Sequence, residues 1–107
     1  MFEAFNDNGY AEPAEGISMK TLVFGKKSLL SRFCLAKGAR LPLHSHPHEQ
    51  TGYLISGRIR LTIGNESFDA GPGDSWSIGG HVTHSAQIME DAVAIEVFSP
   101  VREDYLP

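Results

Sequence analysis

Cysteine is almost absent from this chain, since Cys34 is the only one and no internal disulfide can form. A single thiol fits a reducing compartment, and we expect a cytoplasmic protein. No apolar run approaches the ~20 residues that a membrane-spanning helix needs. The first residues also lack the basic segment and apolar core of a secretory signal. We therefore expect no membrane association.

Positive charge is scarce as well. Nine lysines and arginines stand against thirteen aspartates and glutamates, which gives a formal net charge of -4. The densest basic cluster is Lys26-Lys27, beside a predicted turn. Nucleic-acid-binding proteins usually carry a basic patch, so we expect no nucleic-acid partner.

Helical periodicity is the third absence, because no segment repeats its apolar residues at the spacing of a helix face. Short segments rich in β-branched and apolar residues alternate instead with turn signals, of which Gly71-Pro72-Gly73-Asp74 is the strongest. The predicted strands cover residues 17–24, 28–36, 41–46, 49–56, 58–63, 67–70, 82–89 and 92–99. The two segments on either side of Gly57 predict a hairpin, and a short helical turn is expected near residues 102–105.

Strands of this length and spacing predict an all-β sandwich or barrel. The 107 residues suffice for one domain and no more. We assign residues 1–16 to a polar N-terminal tail that could dock one strand. Residues 17–107 are assigned to the barrel.

The last predicted strand is apolar on both faces. Ala92, Ala94 and Phe98 lie on one face, and Val93, Ile95 and Val97 lie on the other. A strand buried on both sides needs a second covering layer. In so small a protein a second subunit could provide it, so we expect a homodimer.

Histidines are concentrated in one short segment. His44 and His46 are two residues apart and would point to the same face of a strand. Imidazole binds Zn, Fe, Ni, Cu and Mn, so the pair is a candidate metal site. A His-x-His pair can also be an exposed polar face, and an isolated histidine is usually packed or solvated. We assign His48 and His81 to that ordinary class.

Other residues near the pair strengthen the metal interpretation. Gly38, His44, His46, Gln50 and Gly57 are separated by five, one, three and six residues. This spacing resembles the first motif of the cupins, a family that normally has glutamate at the position of Gln50. The resemblance extends over about residues 17–100 and implies a double-stranded β-helix, a small jelly-roll barrel with a metal at its mouth.

A second segment, Gly73-Asp74 with Ile78-Gly79-Gly80-His81-Val82-Thr83-His84, is similar to the second cupin motif. The resemblance places the third histidine ligand at His84. Two features depart from the family pattern. The family usually has proline where Gly79 stands, and it tends to have asparagine where Gln87 or Ile88 stands.

We expect Gln50 to complete the ligand set through its amide oxygen. Glu49 follows His46 by one residue fewer and would face away if Gln50 faces inward. Every protein ligand is then neutral, and one divalent ion keeps its full charge. That favours Lewis-acid chemistry over oxidation. Zn, Ni, Fe and Mn remain candidates, since geometry rather than ligand type separates them.

The C-terminal segment contributes candidate catalytic residues. Glu96 and Phe98 share one face of the last strand, and Arg102 follows Pro100. A lone carboxylate near a cation is a natural general acid or base. Arg102 could hold a substrate carboxylate in a bidentate pair. The alternative interpretation is an ion pair between Glu96 and Arg102 that only closes the barrel end.

The segment from His44 to Gln50, together with Phe98-Ser99-Pro100 and residues 102–105, resembles the small cupins of pectin degradation, the KdgF type. That resemblance implies a metal-dependent conversion of 4,5-unsaturated uronates to linear keto sugars. The resemblance implies metal ligands at His44, His46, Gln50 and His84, and catalytic residues at Glu96, Phe98 and Arg102. That family has aspartate where Glu96 stands. Two alternatives remain open: a module that binds a small acid without transforming it, and an iron-dependent dioxygenase.

Overall fold

The computed structural model describes all 107 residues and contains eight strands and one short 3₁₀ turn. The strands are β1 (Ala11–Ala14), β2 (Ile17–Phe24), β3 (Leu29–Leu35), β4 (Arg40–His44), β5 (Glu49–Ile63), β6 (Glu66–Ala70), β7 (Ser75–Ile78) and β8 (His84–Ser99). The 3₁₀ turn covers Glu103–Tyr105. None of the helical structure is long and apolar enough to span a membrane.

Two long strands, β5 and β8, organise the sheet. They pair antiparallel along most of their lengths, from Glu49 opposite Ser99 to Ile63 opposite His84. The first half of β5 also pairs with β7 and its second half with β6. In the same way β8 pairs with β4 near its start and with β3 near its end.

The sheet folds around one apolar core. A single buried cluster contains side chains from both halves of the long strands, including Leu54 and Leu61 of β5 and Ile88 and Phe98 of β8. The two halves therefore face each other across one interior, as in a small jelly-roll barrel. The all-β prediction is confirmed.

The hairpin predicted around Gly57 is wrong, because β5 continues through this position. Gly57 has a φ of 85° and lies where the register between β5 and β8 shifts. A Cβ at Gly57 would approach the Asp91 carbonyl oxygen to 2.2 Å. Glycine here permits a close approach of two backbones at a bulge, and the strand bends instead of reversing.

The two strands predicted over residues 82–89 and 92–99 are one strand, β8, which passes the same irregularity without a turn. Sequence patterning also missed β7, whose four residues are too few to show a period. The helical turn expected near residues 102–105 is present as the 3₁₀ turn. Because β8 is continuous, His84 at its start and Glu96 near its end lie on the same strand.

Candidate metal centre

Three histidines meet where β4 ends and β8 begins. His44 is the last residue of β4 and pairs directly with His84, the first residue of β8. His46 lies in the loop that leads into β5. The ligand atoms of the three imidazoles all lie within 4.8 Å of one another. A set of this size and spacing could hold one metal ion.

Backbone carbonyls fix the tautomer of each ring. The Nδ1 atom of His44 lies 2.7 Å from the Pro42 oxygen, and that of His84 lies 2.9 Å from the Val82 oxygen. His46 Nδ1 lies 3.0 Å from the oxygen of His48. A carbonyl oxygen can only accept, so each Nδ1 carries the proton and each Nε2 presents a lone pair.

Burial keeps the lone pairs of His84 and His46 available. It holds the pKa of His84 below the usual value of 6.5, and it does the same for His46, where the charge of Arg102 adds to the effect. His84 is only 4% exposed, and its Nε2 is buried without a hydrogen-bond partner. A buried acceptor without a hydrogen-bond partner, close to two other imidazoles, fits the role of a metal ligand.

Gln50 adds a fourth acceptor to this cluster. It is the second residue of β5 and is buried, whereas the neighbouring Glu49 is exposed on the opposite face. Gln50 Oε1 lies 3.0 Å from His46 Nε2. Its Nε2 donates to Glu96 Oε1 over 2.7 Å, which fixes the orientation of the amide. Two lone-pair atoms that face each other form no hydrogen bond, but both can coordinate one cation. The arrangement of these four side chains therefore fits a metal ion.

Glu96 lies beside the cluster on the inner face of β8. Its side chain is 8% exposed, and Oε1 accepts hydrogen bonds from Gln50 and from the Trp76 indole, the latter over 2.9 Å. Burial raises the pKa of the Glu96 carboxyl, and the two donated bonds oppose that shift. Trp76 is a residue that sequence reasoning missed, since β7 was not predicted.

Arg102 does not form the ion pair with Glu96 that was considered as an alternative. Its guanidinium holds Asp104 in a two-point pair, with Nε to Oδ1 at 3.1 Å and Nη2 to Oδ2 at 2.7 Å. The guanidinium carbon lies 4.0 Å from the Tyr105 ring centre and 5.0 Å from that of Phe98. Arg102 is therefore held on two aromatic rings with its Nη1 unused by Asp104.

These groups line one cavity of about 60 Å³, whose polar wall contains His44, Gln50, Trp76, His84, Glu96 and Arg102. That volume holds a few water molecules, so a sugar-sized ligand would extend beyond it. Phe98 is 1% exposed and packs its ring edge-to-face against His46, with centroids 5.9 Å apart. It forms part of the apolar wall.

His48 and His81 lie outside the three-histidine cluster. Both support the loops around it through backbone groups. The His48 carbonyl receives the His46 ring, and the His81 amide donates to the His46 carbonyl over 2.7 Å. His81 has a positive φ of 65°, which turns this loop toward residue 46.

Comparison with known proteins gives consistent matches. The family model described as Cupin domain matches residues 31–99. The pectin degradation protein KdgF of Dickeya dadantii (strain 3937) is 27% identical over 103 residues, which cover 94% of each chain.

Two solved structures match over nearly their whole lengths. That of KdgF from Halomonas sp. has a TM-score of 0.88 and 27% identity, with 94% of each chain covered. The RmlC-like cupin from Shewanella frigidimarina NCIMB 400 has a TM-score of 0.92 and 26% identity, over 98% of this chain and 95% of the other.

Proposed function

The chain belongs to the cupin family, and from that premise we propose that it is a metal-dependent enzyme that converts 4,5-unsaturated uronates to linear keto sugars. The likeness to KdgF, whose name assigns it to pectin degradation, supports an acidic sugar as substrate. One observation carries the proposal: a donor set without charge lies next to one buried carboxylate.

Four neutral side chains would hold the ion, namely His44, His46, Gln50 and His84. With no anionic ligand, a bound divalent metal would act as a Lewis acid toward an oxygen of the sugar carboxylate or ring. Zn, Ni, Fe and Mn are all compatible with imidazole and amide oxygen. The site is built on strand ends and on the short loop that holds His46, so its donors are held in place before any ligand binds.

Glu96 is the proposed proton carrier. Both of its hydrogen bonds end on Oε1, which leaves Oε2 available to take a proton from a sugar hydroxyl or return it to carbon. No other carboxylate lines the cavity. A positioned acid or base of this kind contributes about 100- to 10,000-fold to a rate.

Arg102 and Phe98 are proposed to hold and shield the substrate. Asp104 occupies two nitrogens of Arg102, so Nη1 is the donor left for a substrate carboxylate. Stacking on Tyr105 and Phe98 fixes the plane of the guanidinium. Phe98 also closes the apolar side of the cavity and excludes water from the reacting atoms.

The test is the loss of ultraviolet absorbance of a 4,5-unsaturated galacturonate with the metal-loaded protein. We expect turnover that disappears when a chelator removes the metal and returns when the metal is restored. No acceleration over buffer, with the metal site shown to be filled, would overturn the proposed reaction.

One alternative is a module that binds a small acid without transforming it. That alternative predicts saturable binding of a uronate without any loss of absorbance. Oxygen uptake by an iron-loaded sample would instead point to a dioxygenase.

We also propose a homodimer that forms through the outer face of the sheet. Val93, Ile95 and Val97 of β8 are only half-buried, and Tyr53 of β5, opposite Ile95, is 50% exposed. A second copy packed on this face would cover the apolar strip. The cytoplasmic location stays a prediction.

A further inference from the structure

The Trp76 side chain extends from β7 across β5 to the cavity, at a position where β5 has a glycine and no side chain. Gly52 of β5 pairs with Trp76 on β7 and with Glu96 on β8. A Cβ at Gly52 would lie 2.2 Å from the indole Nε1. The ring therefore occupies the space that any other residue at position 52 would fill, and its N–H arrives at Glu96 from the far strand.

Two donors converge on one oxygen of Glu96. The indole N–H can only donate, and it lies 2.9 Å from Oε1. The Gln50 amide donates to the same Oε1 over 2.7 Å. The backbone beneath is held too, because Ser31 Oγ donates to the Glu96 carbonyl over 2.9 Å. The carboxylate is thus fixed in a single position.

That position determines which way the Gln50 amide points. Glu96 Oε1 accepts the indole N–H, and as an acceptor it also receives the NH₂ of Gln50, so the Gln50 Oε1 turns toward His46. A glutamate at position 50 would instead place two carboxylate oxygens within about 3 Å of each other, which is strongly unfavourable when both are charged. The amide at position 50 and the carboxyl at position 96 are therefore complementary as donor and acceptor.

We propose that Trp76, seated over Gly52, is a positioning residue that holds Glu96 so that the Gln50 amide oxygen faces the three histidines. The inference rests on the proposed metal site and is independent of the proposed sugar reaction. The only side-chain hydrogen bond of Trp76 goes to Glu96, and none goes to the four proposed ligands. Trp76 acts through Glu96, as outer partners of metal ligands commonly do.

The test measures the affinity of the full chain for Zn²⁺ alone, in competition with a chromophoric chelator. Trp76→Phe keeps an aromatic ring over Gly52 and removes the N–H. We expect about 10-fold weaker Zn²⁺ binding, at the lower end of the losses seen for outer partners of metal ligands. Tyr10→Phe is the matched control, because it removes an aromatic donor to the carboxylate of Asp7 far from the site. It should leave the affinity unchanged.

A double-substitution cycle separates positioning from general packing. Glu96→Leu removes the acceptor and should weaken Zn²⁺ binding, after which adding Trp76→Phe should cost nothing more. Glu96→Gln keeps an acceptor oxygen and should restore the affinity. Trp76 is the only tryptophan, so its fluorescence reports the contact directly. Its emission should shift in Glu96→Leu and less in Glu96→Gln.

Two results would overturn the inference. One is unchanged Zn²⁺ affinity in Trp76→Phe. The other is an equal loss on adding Trp76→Phe to the native and the Glu96→Leu backgrounds, since the indole would then act without Glu96. Because no arm of the cycle measures turnover, an inactive protein would count against the proposed reaction and leave this result standing.

Discussion

The two faces of the second half of β8 differ in what their side chains do. The inner face consists of Ala92, Ala94, Glu96 and Phe98, all buried, and the outer face consists of Val93, Ile95 and Val97, all half-buried. The inner face, although more deeply buried, includes the ionisable residue Glu96. Burying a carboxylate is costly unless it receives hydrogen bonds, and Glu96 receives two. In this half of the strand the buried face therefore contains the one ionisable side chain, while the half-buried face is entirely apolar.

The largest effect is expected from removing His84, at the start of the same strand. His84→Ala deletes the buried imidazole whose Nε2 has no partner within the protein. We expect Zn²⁺ affinity to fall beyond the ~100-fold that changes around a metal site typically cost, and turnover to be lost with it. Calorimetric titration with Zn²⁺ measures this.

The control for this change is His81→Asn. His81 is exposed with a positive φ, a conformation that asparagine tolerates, and its contact with His46 is made by the backbone. Zn²⁺ binding as weak in this variant as in His84→Ala would mean that the three-histidine cluster is not the metal site.

The second change tests whether the inner-face carboxylate carries a proton. Glu96→Gln keeps an acceptor oxygen for Gln50 and Trp76 but removes the charge and the base. Turnover of the unsaturated uronate should fall about 100-fold or more, while Zn²⁺ affinity stays near that of the native protein. Steady-state kinetics and titration on the same preparation separate the two. A variant with native turnover would exclude Glu96 as the proton carrier.

The third change compares neighbours on β5 that point to opposite faces. Gln50 is 7% exposed and Glu49 is exposed. Gln50→Ala should weaken Zn²⁺ binding by about 10-fold or more, since an acceptor is lost and Glu96 loses a donor. Glu49→Ala should change nothing. If Glu49→Ala is the damaging substitution, the fourth ligand has been assigned to the wrong residue.

The fourth change examines Arg102, which lines the cavity beside Phe98. Arg102→Lys keeps the positive charge but cannot hold Asp104 at two points or lie flat on Tyr105. We expect KM for the uronate to rise about 10-fold, equivalent to one lost charge-assisted hydrogen bond of ~1.4 kcal/mol, with a smaller effect on kcat. A fall in kcat alone would argue for a role in the chemical step instead.

Much of this architecture could be predicted from local sequence. Alternating strands, turn residues and the spacing of His44, His46, Gln50 and Gly57 suffice for the all-β fold and the cupin family, both of which are confirmed. The structure also brings His84 to His44 across one strand pair. Local patterns find such features because each depends on residues close in sequence or on a family motif.

Contacts that depend on register between distant strands could not be predicted. Gly57 carries the same local signal whether a chain reverses or bulges, and only the pairing with β8 distinguishes the two. The bond between Gln50 and Glu96 joins residues 46 positions apart. Trp76 reaches Glu96 only because Gly52 lies between them in register. None of these relations has a signature within a short window of sequence.

The fifth change acts on the outer face and should leave the site intact. Ile95→Glu places a charge in the apolar strip, and Arg32 stands opposite it on β3, so the change is tolerated within one chain. We expect a dimer to become a monomer in sedimentation velocity runs at micromolar concentration. Zn²⁺ affinity should be unaffected, and stability should shift by less than ~1 kcal/mol.

A native protein that is already monomeric would refute the dimer, and the two valines and the isoleucine would then be ordinary solvent-exposed apolar residues. Loss of Zn²⁺ binding in Ile95→Glu would mean that the two faces are coupled through the strand, because a rigid β8 would transmit the change to Glu96 next to it.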